Sequence, residues 1–383
     1  MDVFFIDPQS YNGLEVYDKS LLDNIDTGLE VRFLCSSLFK SETLGRGGKI
    51  PIIRIFNYNT KQGVSKMISY LHSLLRVKRE IKKYKPHVLH IQWIKIPFVD
   101  LFFYKYIKNR FKVKIVFTAH NVVPHESNER EQRLYGNFYS IVDSFIVHEE
   151  KSKFELKERF GISENRIHVI RHGVLDLPTD PDLVNKEYED IIGRYHIDND
   201  AIVFASLGLQ SYYKGTDVLM TVWKKNAQSF KEKSCHLVLA GSFNGLSADI
   251  LEGCDNVCVE NSYVSNERLQ AFLKRANVVL LPYRAISQSG LLLTAIANKA
   301  PFLVTDVGGI SEPLTIANVG WQIPYCDEVL LYNAMMELAS NREMVINKKY
   351  HNDTSWETVQ DAYSWETIAN KTSELYKSLS RQI

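Results

Sequence analysis

At 383 residues the chain is about two and a half times a typical domain, so two domains sharing one function are expected and a single small binding module is excluded. With 45% hydrophobic and 24% charged residues it can build large cores, which excludes disorder, collagen-like repetition and low complexity as descriptions of the whole. A net charge of +1 from 46 basic and 45 acidic residues argues against a surface tuned throughout to nucleic acid, so any electrostatic partner is met by a local patch.

The chain opens Met1-Asp2-Val3-Phe4-Phe5-Ile6-Asp7. There is no basic n-region and the apolar run closes after four residues, so this reads as a first buried strand and not a secretion signal. Short β-rich runs then alternate with longer segments of helical period, the pattern of parallel sheets with crossover helices. In the first half the predicted strands are Val3–Ile6, Val31–Cys35, Pro51–Phe56, Val88–Trp93, Lys114–Ala119, Ser144–Val147 and Ile167–Ile170. Between them, Val64, Met67, Ile68, Leu71, Leu74, Leu75 and Ile81 recur at helical spacing, which predicts a helix burying that face.

After His172-Gly173 the run Leu177-Pro178-Thr179-Asp180-Pro181-Asp182 is turn chemistry, and a domain boundary is expected there. The Asp-x-Asp spacing within it is read as part of the turn and not as a metal site. A second alternating series follows, with strands at Ile202–Leu207, His236–Ala240, Val257–Glu260, Val278–Leu281 and Phe302–Thr305. The expected organisation is an α/β chain with one Rossmann-like domain over 1–175, a hinge over 176–200, a second over 201–355, and a helical segment over 356–383 able to pack on either domain. Open parallel sheets bind ligands beyond the carboxyl ends of their strands, so the active site is expected in a cleft between two such domains.

The five cysteines are an odd number with no paired metal-ligand spacing, which fits a reducing cytoplasm; Cys254 and Cys258 are read as structural. No stretch approaches the ~20 uninterrupted apolar residues of a membrane span, so any membrane contact is expected to be peripheral.

Three strand-loop-helix segments of the second half carry chemistry. Gly208-Leu209-Gln210-Ser211-Tyr212-Tyr213-Lys214-Gly215 brings a lysine and glycines to the head of a helix, where free amides and an ammonium can converge on phosphate; a solvated loop lysine is the plainer alternative. Pro282-Tyr283-Arg284 ends a buried strand, and Ser287-Gln288-Ser289-Gly290 then opens an apolar helix. That helix start suits a diphosphate or is an ordinary serine cap. Strand Phe302–Thr305 leads to Gly308-Gly309-Ile310-Ser311-Glu312.

Together these segments resemble the donor-binding domain of the family-4 (group 1) retaining glycosyltransferases of the type that builds bacterial polysaccharides, which have the two-domain GT-B fold. The resemblance extends over nearly the whole chain. It implies that Gly208, Lys214, Ser287, Gln288, Ser289, Gly290 and Glu312 bind a nucleoside-diphosphate sugar, with Gly13 of the Tyr11-Asn12-Gly13-Leu14 loop approaching from the first domain. It assigns His120, at the end of Thr118-Ala119-His120-Asn121, to the donor sugar, and makes His120 and Lys214 the catalytic candidates. Trp93, Asn121, His125 and Glu126 are the acceptor-side candidates, Glu126 with a loop charge as its alternative. No metal and no separate cofactor are expected, because protein cations stabilise the leaving diphosphate.

The sequence departs from the family pattern where Leu209 and Ser211 stand in place of an arginine, where Ile286 and Thr294 stand in place of paired glutamates, and where the first loop has one glycine. From Lys61 to Lys85 eight basic residues face Glu80 alone, so this segment is +7 and the remainder of the chain −6. Such a segment suits an anionic membrane surface or is a solvated helix face. The expected activity is transfer of a sugar, with retention, to a saccharide or lipid-linked saccharide at the inner face of the plasma membrane. A sugar-nucleotide 2-epimerase and a non-catalytic nucleotide-sugar-binding subunit are the alternatives.

Overall fold

A computed structural model describes residues 1–11, 13–123, 128–286 and 288–380. The chain forms two compact units: Met1–Gly173 together with the segment from Tyr363 onward, and Val174–Ala362.

In the first unit β1 (Asp2–Asp7), α1 (Gly13–Asn24), β2 (Glu30–Ser36), β3 (Ile52–Phe56), α2 (Gly63–Tyr84), β4 (Val88–Ile91), α3 (Pro97–Phe111), β5 (Lys114–Thr118), α4 (Glu129–Tyr139), β6 (Ser144–Val147), α5 (Glu150–Phe160) and β7 (Ile167–Val169) follow in chain order. All seven strands are parallel, in the order β3-β2-β1-β4-β5-β6-β7. The two-residue period of β1 divides its side chains between two cores: Phe4 and Ile6 pack with residues of α2, α3 and α4, Val3 and Phe5 with those of α1 and of the final helix.

The second unit runs α6 (Pro181–Tyr195), β8 (Ile202–Leu207), β9 (Gln210–Ser211), α7 (Thr216–Glu232), β10 (Cys235–Ala240), β11 (Phe243–Asn244), β12 (Val257–Glu260), α8 (Asn266–Arg275), β13 (Val278–Leu281), α9 (Gly290–Ala297), β14 (Phe302–Thr305), α10 (Glu312–Ile316), β15 (Gly320–Ile323), α11 (Glu328–Ser340), α12 (Arg342–Tyr350) and α13 (Asp353–Ala362). Its main sheet is parallel in the order β12-β10-β8-β13-β14-β15, and β9 and β11 form a separate short pair. The last helix, α14 (Trp365–Ser380), packs on α1 of the first unit.

Several elements differ from the sequence reading, the short strands β9 and β11 among them. Residues 181–195, read as turn chemistry and charged chain, form α6: Asp180 caps it by accepting from the Asp182 amide at 2.9 Å, and Pro181 takes the first turn, where a missing N–H costs nothing. Arg268 of α8 ties α6 to the second unit through Asp190, at 2.9 Å, Glu187 and Glu260. The edge strand β15 was not anticipated. On α2 the residues buried are Ser69, Tyr70, Ser73, Leu74, Val77 and Ile81, while Val64, Met67, Ile68, Leu71 and Leu75 face outward, so only two of the seven positions expected in the core lie there.

Each sheet has a point where its strand order reverses: β1 sits between β2 and β4, and β8 between β10 and β13. Beyond the carboxyl ends of strands flanking such a point the crossover loops diverge and leave a crevice. Gly13, Trp93, Gly208, Lys214, Ser289 and Gly290 follow the strands that flank these points, and His120 and Glu312 follow the next strand out in each sheet.

Candidate functional site

In the second unit the loop after β8 is built by close backbone approach. Gly208 has φ +79°, and its amide donates to Ala240 O at 2.8 Å. A Cβ on Gly241 would fall 1.8 Å from Gly208 O, so only glycine lets these strand ends meet. Buried Gln210 pins the turn: its Nε2 donates to Ser206 O and Gly208 O, both at 3.0 Å, and its Oε1 accepts from Ser206 Oγ and Thr216 Oγ1, both at 3.1 Å. Sequence reasoning passed over Gln210, although an amide flanked by small polar residues beside a glycine turn was the available signal.

Lys214 ends the single turn Tyr212–Lys214 and is half-buried. Burial pulls its ammonium down from the ordinary lysine value to about 8, and among the described residues no carboxylate pairs with it. Its Nζ lies 5.6 Å from the centre of the Tyr283 ring and 3.8 Å from where a Gly208 Cβ would stand. A partly desolvated cation without a counter-ion, beside a glycine backbone, is poised for an anion.

The arginine that seemed to be missing has a counterpart of different use. Arg284, just past β13, grips Asp217 with two bonds of 2.6 and 2.8 Å, donates to Tyr212 O and stacks over the Tyr212 ring at 3.9 Å. It spends its donors holding the lysine turn in place.

Tyr283 joins the other segments to this turn. Its hydroxyl lies 3.3 Å from Ser289 Oγ, and its carbonyl accepts from Thr305 Oγ1 at 2.6 Å. Ser289 caps α9 by accepting from Leu292 N at 3.3 Å, leaving Gly290 exposed in the first turn and Gln288 half-buried beside it. Glu312 is the half-buried first residue of α10, its amide donating to Gly309 O at 3.2 Å. Lys214 and Ser289 are therefore linked through one ring. Ser287 lies outside the described residues, as do His125 and Glu126.

In the first unit, successive parallel strand ends carry polar rings: His90 on β4, His120 after β5, His148 after β6 and His172 after β7. Neighbouring strands are about 4.8 Å apart, so such residues must touch. His148 Nδ1 lies 2.9 Å from Ile170 O, His148 Nε2 3.1 Å from His120 Nδ1, and His120 Nε2 2.9 Å from Gln92 Oε1. Gln92 Nε2 is 2.9 Å from His90 Nε2, which is also 2.7 Å from Thr118 Oγ1, and His90 Nδ1 is 2.5 Å from Tyr376 Oη on α14. Tyr17 packs its ring at 5.0 Å from His120 and from His172.

Burial holds all four imidazoles below the ordinary value, His90 and His148 down to about 3, His172 to about 4 and His120 well below, so they are neutral at pH 7. Neutral rings carry one proton each, and this decides the direction of the chain. His148 must spend its proton on Ile170 O, so His148 Nε2 accepts from His120 Nδ1–H. His120 Nε2 is then bare and needs the NH2 of Gln92, which turns the amide oxygen toward His90. Every contact is then satisfied, from the Tyr376 hydroxyl through His90, Gln92, His120 and His148 to the Ile170 carbonyl.

His120 also stacks on Trp93 at 5.2 Å with the planes 6° apart, and these two rings with Asn121 line a cavity of about 230 Å³ closed by Ile94, Phe117 and Tyr135. The structure thus brings His120, Trp93 and Asn121 together. Gly13 begins α1, and among the described residues other than its chain neighbours no atom lies within 4 Å of an added Cβ. Asp7, at the end of β1, and Asp18, on α1, are both fully buried. Asp7 accepts from Gln9 N at 2.6 Å, but among the described residues no N–H or hydroxyl reaches its other oxygen or either oxygen of Asp18. Burial pushes Asp7 up to about 6, and burial together with the neighbouring Asp7 raises Asp18 well above the ordinary carboxyl range. Among the described residues no group of three or more His, Cys, Asp or Glu side chains is arranged to hold a metal ion.

Residues 12–175 match the family described as Glycosyltransferase Family 4, and residues 199–341 the family described as Glycosyl transferases group 1. An uncharacterized glycosyltransferase of Methanocaldococcus jannaschii is 26% identical over 234 residues, 59% of this chain and 57% of that one. The chain therefore spans little more than half the length of the curated relative it matches. Sucrose-phosphate synthase of Thermosynechococcus elongatus superposes with a TM-score of 0.73 at 16% identity, over 100% of both chains. The HepE protein of Anabaena, solved with UDP, superposes with a TM-score of 0.70 at 12% identity over 99% of this chain and 100% of that one. These structures share with the chain the GT-B fold, each domain a Rossmann-like α/β unit. None of the named relatives is an epimerase.

Proposed function

Because the chain belongs to the group 1 glycosyltransferases, we propose that it transfers a hexosyl or related sugar from a nucleoside diphosphate to a saccharide acceptor with retention of anomeric configuration. The observation that carries this reading is Lys214: a desolvated ammonium with no carboxylate partner among the described residues, at the carboxyl edge of β8, where glycines keep side chains off the backbone. A sugar diphosphate leaves with negative charge growing on its distal phosphate, and preorganised cations and amides lower that barrier most. Lys214 and the Ser289–Gly290 helix start supply them, with Gly208, Gln288 and Glu312 around the donor. The UDP and UDP-glucose complexes of Anabaena HepE support a nucleotide-sugar donor. No protein nucleophile is used: the acceptor hydroxyl attacks from the face the diphosphate leaves.

His120 orients the transferred sugar in this scheme. Its two nitrogens are engaged within the protein, so it presents its ring edge while Gln92 and His148 hold the tautomer. Trp93 and Asn121 border the acceptor. We assign the acceptor to a growing surface polysaccharide or other glycoconjugate, lipid-linked at the inner face of the plasma membrane, with the basic tract of Lys61–Lys85 toward the lipid.

The test is turnover of a panel of sugar nucleotides with saccharide acceptors by the wild type and by Lys214→Ala. Loss of about 100-fold or more in the variant is expected. Wild-type turnover in Lys214→Ala removes the lysine's role, and nucleotide binding without turnover by the wild type on any acceptor removes the transferase reading.

A further inference from the structure

The outward face of α2 is unlike a solvated helix. Val64, Met67, Ile68, Leu71 and Leu75 stand at i, i+3, i+4, i+7 and i+11, one stripe along three turns, and all are exposed, Val64 to 68%, Ile68 to 54% and Leu75 to 53%. The opposite face already buries Tyr70, Leu74, Val77 and Ile81, so the stripe is a second apolar face, left exposed among the described residues of this unit. Past Leu75 the same outward side becomes basic, with Arg79 and Lys82 exposed. Helix α3 continues the surface. Phe98 and Phe102, one turn apart and in ring contact at 4.8 Å, are 56% and 58% exposed, and the ammonium of Lys78 on α2 sits 4.5 Å above the Tyr106 ring of α3. Beside the stripe, a cavity of about 340 Å³ between α2 and β3 is lined by Lys61, His72 and Arg76, with Ile68 at its wall.

Scattered exposed apolar residues need no explanation, but an ordered stripe bounded by cations does. A second copy of this chain seated there would bring a +7 segment against another +7 segment. An anionic bilayer answers both features: acyl chains take the apolar stripe and the phenyl rings, and phosphates take the flanking lysines and arginines. We infer that α2 and the first turns of α3 form a surface that inserts shallowly into an anionic phospholipid monolayer, with a lipid phosphate held at the cavity of Lys61, His72 and Arg76. This deepens the peripheral location proposed above into a defined insertion surface, and it uses none of the donor chemistry.

The experiment is co-sedimentation of the full chain with vesicles of phosphatidylcholine alone, or with about a quarter phosphatidylglycerol, without any sugar nucleotide. The wild type is expected to pellet with the anionic vesicles only, and less so as salt rises. The triple change Ile68→Ser, Leu71→Ser, Leu75→Ser should weaken binding about tenfold or more at any salt. Arg79→Glu with Lys82→Glu should weaken it about fivefold or more per charge, chiefly at low salt. Phe102→Trp should shift its emission to the blue on anionic vesicles. All these positions are exposed, so melting temperature and turnover of a water-soluble acceptor should stay at wild-type values, which separates a failure here from a failure of the transferase reading. The inference is overturned if the wild type ignores both vesicles or if the serine variant binds like the wild type. It is also overturned if the wild type is a dimer that the serine variant dissolves.

Discussion

Gly215 separates the lysine turn from α7, and replacing it with alanine tests whether that turn is held as the structure indicates. Its φ is +70°, so any side chain there adopts a left-handed backbone at a cost of about 1–2 kcal/mol. An added Cβ would also lie 2.1 Å from Pro282 O and 2.7 Å from Cys326 Sγ. The thiol can rotate away; the carbonyl at the end of β13 cannot move without shifting the strand end. Overpacking of this kind costs about 1–3 kcal/mol. Together the terms predict about 2–5 kcal/mol lost from the second unit, a melting shift of roughly 5–20 °C. Relief of the clash pushes Tyr212–Lys214 off the β13 end, so affinity for UDP should fall about tenfold or more. Scanning fluorimetry and calorimetry with UDP read both effects. Gly13→Ala is the internal control, since among the described residues other than its chain neighbours nothing lies within 4 Å of its added Cβ; stability should hold while donor affinity drops if a diphosphate approaches that helix start. A Gly215→Ala variant melting within about 2 °C of the wild type, with unchanged UDP affinity, would refute the account of the loop.

Lys214 also predicts a pH dependence. Burial lowers its pKa to about 8, and a bound diphosphate favours the ammonium, so UDP affinity should be level below about pH 8 and fall as pH rises through that value, with proton uptake on binding; a flat profile to about pH 9.5 counts against the lysine. His120→Ala should cut transfer by about 100-fold while UDP still binds, and loss of UDP binding alone would move that side chain to another role. For Asp7 and Asp18 the folded carboxyls hold protons that the unfolded chain releases near pH 4, so their stabilisation is complete below about pH 4 and is lost as pH rises through about 6 and above. Asp18→Asn should therefore melt above the wild type at pH 7.5 and lose that advantage near pH 4.5; an equal loss at both pH values would show that the carboxyl is ionised in the fold.

The strands were legible because buried parallel strands are short continuous apolar runs between turn signals, and Ser144–Val147, Ile202–Leu207 and Phe302–Thr305 appear as read. Strand Gly320–Ile323 escaped notice because it is four residues long, begins with glycine and carries a glutamine at an edge. Helix α6 was obscured because aspartate and proline serve turns and helix starts alike. On α2 the periodicity was correct and its meaning was not: a helix with two apolar faces has the same spacing as one broad buried face. In the candidate site, the places of Lys214 and Ser289 at the heads of helices were readable from strand-loop-helix order, and His120 was singled out by the family resemblance. The histidine chain was not, although His90, His120 and His148 lie at or just past the carboxyl ends of three adjacent strands. Its proton directions depend on which nitrogen meets which oxygen, and that exists only after folding.

Helix α14 has a consequence for how the chain is made. Trp365 fills the space above Gly173, where a Cβ would fall 2.3 Å from its ring, and Ile368, Tyr376 and Leu379 complete the core beneath β1 and β2. During synthesis the amino-terminal half therefore leaves the ribosome with one side of its sheet covered only in part, by α1, and His90 lacking its tyrosine donor. Everything between Val174 and Ala362 can close on itself first. The lobe begun earliest is finished last, and a truncation removing only the final turns should strand it as an aggregation-prone intermediate while the other lobe still folds.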